Sequence, residues 1–100
     1  MRDRWDSLLS EHVSLESLLS DPAVLSDQSR LRDVSRRYKE LTPVVECIRR
    51  IESRTSDAEA ASELMALSEN TDEREQLRVE RESALVDIAR LEEELKVLLL

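Results

Sequence analysis

Glycine and phenylalanine are missing altogether from these 100 residues, and there are only two prolines and one cysteine. Without glycine, tight hairpin turns, bulges and loops that wrap phosphates lose the residue whose backbone freedom they use. That excludes a β-rich protein, a Rossmann domain and a P-loop. A single cysteine excludes an internal disulfide and fits a reducing compartment, so a cytoplasmic location is expected. Trp5 and Tyr38 are the only aromatic residues, so any core must be aliphatic and thin. No apolar run approaches the ~20 residues that span a bilayer, and no membrane partner is expected. The amino terminus, MRDRWDSLLSEHV, has no apolar signal core.

What is abundant is charge, at 38% of residues, set against 40% hydrophobic residues that are mostly Leu, Val, Ile and Ala. That mixture, rich in Glu and Arg, belongs to long amphipathic helices. The net charge of −8 repels a phosphate backbone, so direct nucleic-acid binding is not expected of the domain unless basic residues cluster. One such concentration exists: Arg30, Arg32, Arg36, Arg37 and Lys39, interleaved with Asp33 and Glu40. Its plain reading is a solvated helix face; a patch that contacts anions is the alternative.

Periodicity predicts a helix over about residues 3–19, where Trp5, Leu8, His12, Leu15 and Leu19 step by 3, 4, 3 and 4. Asp3 or Ser7 is placed to cap it. Residues 20–27 form a connector: Ser20 or Asp21 caps a single turn led by Pro22, with Ala23, Val24 and Leu25 pinning it to the core. Ser26 or Asp27 caps the next helix. A long helix is expected over about 27–68, with the seam Leu31, Val34, Tyr38, Leu41, Val44, Ile48, Ile51, Thr55, Ala58, Ser62 and Met65. Pro43 interrupts that seam, either kinking one continuous helix or opening a new one capped by Thr42; the lack of other turn residues favours the kink. Asn70 and Glu73 have capping-box spacing. The last helix, about 71–99, then keeps heptad spacing through Leu77, Arg81, Ala84, Ile88, Leu91, Leu95 and Leu98, with a Glu92–Lys96 pair on its surface.

None of these stripes is stable alone, because isolated helices are marginal in water. The short link near 68–72 makes the second and third helices an antiparallel hairpin. The fold expected is all-α: an elongated three-helix arrangement, two long antiparallel helices forming a coiled-coil-like hairpin plus a shorter amino-terminal helix. Ala58, Ala61 and Ser62 should make the hairpin end weakly packed and mobile.

Chemistry is scarce. His12 is the only histidine and lies on an apolar stripe, where a packed, satisfied core-edge role is expected. Cys47 reads as a structural thiol. A zinc site needs about four nitrogen or sulfur ligands, and the chain owns two such residues. No catalytic residue, cofactor or metal site is expected. Trp5 reads as core, with a partner-facing role as the alternative. Leu98 belongs to the last seam, but Leu99 and Leu100 add apolar surface on other faces, and exposed runs of that kind mark interfaces. The expectation is that the natural chain continues and that Leu98, Leu99 and Leu100 make an inter-domain contact.

The segment LLSDPAVLSDQSRLRDVSRRYKELTPVVE, residues 18–46, resembles the amino-terminal region of the bacterial peptide chain release factor one family. Ser35, Arg36, Tyr38 and Leu41 match its Ser-Arg-x-Tyr-x-x-Leu core, and the closing LEEELKVLLL matches its acidic stretch and leucine triplet; release factor two is not similar there. The resemblance implies a helical domain of a factor that reads UAA and UAG with a Pro-x-Thr tripeptide and triggers ester hydrolysis with a Gly-Gly-Gln tripeptide. Neither tripeptide occurs here, so no such role transfers to any residue. The partners implied are the ribosome, at the GTPase-associated region of the large subunit, the class-two release-factor GTPase, and the remaining domains of its own chain. Two alternatives stay open: a free-standing coiled-coil adaptor or oligomerisation protein, supported by the heptads, and a helical arm of a tRNA-handling enzyme.

Overall fold

The computed structural model describes residues 2–100. Four helices follow one another, α1 (Arg2–Leu18), α2 (Pro22–Leu25), α3 (Gln28–Leu67) and α4 (Thr71–Leu98), and no strand occurs among the described residues. The chain divides between Glu46 and Cys47 into two compact units. The first is built from α1, α2 and the opening turns of α3; the second is built from the rest of α3 and α4.

In the first unit α1 starts at Arg2, one residue early enough to place both expected caps inside the helix. Ser7 accordingly donates its hydroxyl back to the Asp3 carbonyl at 3.0 Å, and Asp3 favours the helix through its negative charge in the first turn. Asp21 caps α2: its carboxylate accepts the Ala23 N–H at 2.9 Å, with Pro22 at the first helical position. Val24 alone of that turn is buried, while Ala23 and Leu25 are exposed, which corrects the expectation that all three pin the connector. A single turn of 3.6 residues has room for one inward position. Val24 joins Leu15, Val34 and Leu41 in an aliphatic core, with Leu8, Leu18, Leu19, Leu31 and Tyr38 packed against it.

Asp27 caps α3 by accepting the Arg30 N–H at 3.1 Å. Pro43 lies inside α3 and does not open a new helix. It removes one backbone donor, the partner of the Lys39 carbonyl. Both Pro43 and Lys39 sit on the exposed side of the helix, so water can satisfy the freed carbonyl. The inward stripe is broader than the predicted seam: Val45 and Cys47 are buried beside it. Near the helix end the stripe runs from Ala58 to Ala61, a step of three, and leaves Ser62 exposed.

In the second unit the two helix stretches are antiparallel. The Cys47 thiol donates to the Leu91 carbonyl at 3.3 Å, and Arg54 ion-pairs with Asp87 at 3.0 Å, so numbers rise along α3 as they fall along α4. Ile48, Ile51, Ala58 and Ala61 face Ala84, Leu91 and Leu95 in the buried layer. The turn between them is closed by Asn70, whose side chain accepts the Glu73 N–H at 3.0 Å. The reciprocal half of a capping box is not made: the Asn70 N–H goes to the Ser68 hydroxyl at 3.3 Å. Lys96 likewise pairs with Glu93, three residues back, at 2.9 Å, in place of the expected Glu92.

Candidate interaction surfaces

His12 is buried where α1 meets α3, stacked on Tyr38 with ring centroids 4.6 Å apart and planes 18° from parallel. Its Nε2 is 3.0 Å from the Thr42 hydroxyl oxygen, and that hydroxyl reaches the Tyr38 carbonyl at 2.7 Å. A hydroxyl has one proton to give. With that proton spent on the Tyr38 carbonyl, Thr42 accepts, and His12 donates from Nε2. Nδ1 is buried without a partner among the described residues. The expectation of a fully satisfied histidine therefore holds for one ring nitrogen only. Beside this pair, Glu11 and Arg37 form a two-pronged ion pair, with Arg37 Nη2 donating to Glu11 Oε1 at 2.9 Å and Nε to the other oxygen. The hydrogen bond from Arg37 holds the Glu11 carboxyl below its ordinary range, and that carboxylate in turn raises the guanidinium. This cluster locks α1 to α3.

The basic stretch of α3 splits by face. Arg37 is committed to Glu11 and, at 3.8 Å, to Glu40. Arg32, Ser35, Arg36, Lys39 and Glu40 line a shallow concavity on the opposite, solvent-facing side. Cys47 is buried, and desolvation, reinforced by Glu94, pushes its thiol up, which keeps it protonated and unreactive. Among the described residues no group of three or more His, Cys, Asp or Glu is placed to hold a metal ion, and no helix is long and apolar enough to cross a membrane.

At the end of α4 the leucine triplet is arranged differently from its expected pattern. Leu98 continues the heptad on paper yet is 42% exposed, whereas Leu99, the residue capping the helix end, is half-buried. A straight helix drifts by about 20° per heptad, and the buried stripe steps by four from Leu91 to Leu95 to Leu99, past Leu98. Val97 is 68% exposed and Leu100 fully so, which leaves a contiguous apolar tip beside the charged Glu92–Lys96 stretch. Trp5 is half-buried, between its two readings.

Comparison with known proteins places this architecture. The PCRF domain family matches residues 8–100. The chain belongs to that family. Among curated relatives, peptide chain release factor 1 of Thermus thermophilus is 39% identical over 96 residues, covering 96% of this chain and 26% of its own length. The same-named protein of Thermobifida fusca is 42% identical over 80 residues, 79% of this chain and 22% of its own. That of Kocuria rhizophila is 48% identical over 64 residues, 64% of this chain and 17% of its own. The chain thus spans about a quarter or less of the length of the curated relatives it matches. No solved structure matches it significantly.

In this PCRF domain the α1–α3 lock, the basic face and the leucine tip all fall within the matched residues, and Trp5 lies before them. Reading residues one helix at a time missed the Glu11–Arg37 and His12–Thr42 pairs, which join positions 26 and 30 residues apart. The only sequence signal for them is that both partners sit on or beside the apolar stripes that must meet.

Proposed function

We propose that this chain is the helical domain of a class-one peptide chain release factor and serves translation termination at the stop codons UAA and UAG. The observation that carries the reading is the PCRF match over residues 8–100, joined to relatives that bear the name release factor 1. The domain has no glycine and so no Gly-Gly-Gln tripeptide; its part is contact, not codon reading or hydrolysis. Its partners are the ribosome, at the GTPase-associated region of the large subunit, and the class-two GTPase that recycles the factor. An acidic, glycine-free helical hairpin supports a protein-contacting role of this kind. The apolar tip of Val97, Leu98, Leu99 and Leu100 packs against another domain of the full factor, which removes from water the surface exposed here.

The test is a reconstituted termination assay with a full-length factor carrying this domain, on ribosomes programmed with each stop codon. Peptide release at UAA and UAG but not UGA is expected. Release at UGA, or none at any codon, would overturn the reading. Leu98→Asp with Leu100→Asp should loosen the domain in limited proteolysis of the full factor; an unchanged cleavage pattern would remove the inter-domain role of the tip.

A further inference from the structure

The basic face of α3 departs from the rest of the surface in sign. Over residues 28–41 five basic and two acidic side chains leave three positive charges in excess, in a chain whose net charge is −8. Arg32, Arg36 and Lys39 stand at i, i+4 and i+7, which places them in one row along the helix. Elsewhere four cations are spent on neighbouring carboxylates: Arg54 on Asp57 and Asp87, Arg78 on Glu75 and Glu82, Arg90 on Glu94, Lys96 on Glu93. Within the row, Arg32 and Lys39 have no ion-pair partner among the described residues. Arg36 has one, Asp33 at 3.1 Å, and with both side chains 67% exposed that pair yields readily to a competing anion. Glu40, which also lines the concavity, is held by Arg37 at 3.8 Å.

We infer that Arg32, Arg36 and Lys39, with Ser35 between them, form a docking surface for an RNA phosphate backbone. Charge complementarity selects an anion. The lining then selects among anions: it holds no apolar side chain, whereas a stable protein interface has an apolar or aromatic centre. The row spans about 10 Å of helix axis at 1.5 Å per residue, enough for about three phosphates at ~3.4 Å of axis per strand. Such contacts position a protein on a duplex without reading its sequence. The net negative charge does not forbid this, because at physiological salt charges beyond about 8 Å are largely screened and the row acts locally. The inference rests on the ribosomal role proposed above, since a termination factor works among structured RNAs.

The test is a fluorescence-anisotropy titration of a 20-base-pair RNA hairpin with the 100-residue chain and with the full factor. Three contacts predict binding that weakens roughly 20- to 40-fold between 50 and 200 mM salt. The triple variant Arg32→Gln, Arg36→Gln, Lys39→Gln should bind at least tenfold more weakly at 50 mM. A charge-matched control, Arg30→Gln, Arg49→Gln, Arg74→Gln, removes three exposed cations outside the row that have no ion-pair partner among the described residues, and should bind as the parent does. Circular dichroism keeps the comparison to folded proteins, and because all six residues are exposed the melting temperatures should agree. Equal loss in both triple variants, no loss in the first, or equal competition by poly-glutamate would overturn the inference, the last pointing to an acidic protein. Stop-codon release by the same full factor separates the two readings. Release with unaltered RNA binding by the row variant removes only the docking surface; row-dependent RNA binding without release removes only the termination role.

Discussion

At the scale of single residues, polar and apolar positions carry different information. Ile48, Leu41, Leu91 and Leu95 are placed inward by spacing alone and are buried. The partners of His12, Glu11 and Cys47 are not legible in the sequence, because each is fixed by which helix lies opposite and at what register, and no single-helix period contains that. Two predictions belong here. Glu11 titrates below its ordinary value because Arg37 donates to it, so the pair stabilises the fold above about pH 4.5, the unshifted value, and that contribution is lost as pH falls through the lowered folded one. Being largely exposed, it is worth at most about 1 kcal/mol. Glu11→Gln should therefore lower urea stability by that order at pH 7 and by nothing near pH 2; a penalty that persists in acid would assign the effect to packing. Cys47 should resist a water-soluble disulfide reagent at pH 8 in native protein and react promptly in urea, and fast native labelling would contradict the buried, raised thiol.

At the scale of elements, the helices are legible to within a residue or two because the stripes are long and the caps are ordinary residues: Asp21, Asp27 and Asn70 each accept a backbone N–H where a start is expected. The errors fall where geometry within the element decides. A one-turn α2 has one inward position, so Val24 is buried without Leu25; the stripe of α4 steps by four into Leu99 and so passes the heptad residue Leu98. Leu91→Ala should cost about 2–4 kcal/mol, because the side chain is buried in the layer between α3 and α4. Val86→Ala, at an exposed position of the same helix, should cost less than ~0.5 kcal/mol. Chemical denaturation of both measures the contrast, and similar losses would mean that the inward face of α4 is wrongly assigned. Asn70→Ala should cost about 1 kcal/mol through the lost cap. Amide exchange should then be fastest beside that turn, where the buried layer consists of the small residues Ala58 and Ala61.

At the scale of the whole molecule, what is absent explains as much as what is present. A chain without glycine and rich in charged and aliphatic residues builds long helices and surfaces, and membership of the PCRF family gives those surfaces a setting. The family is legible in the sequence, and its match extends over residues 8–100; the faces used by partners are not legible, because solvent-facing residues obey no packing period. The central proposal is that these residues supply contact to a termination factor and leave its chemistry to other parts of it. It is tested most directly by deleting residues 8–100 from a full factor and measuring peptide release in a single turnover at saturating factor, then over many turnovers with the recycling GTPase present. The account predicts single-turnover release within about threefold of the intact factor and a clear loss of GTPase-dependent turnover, whereas collapse of the single-turnover rate at saturation would contradict it.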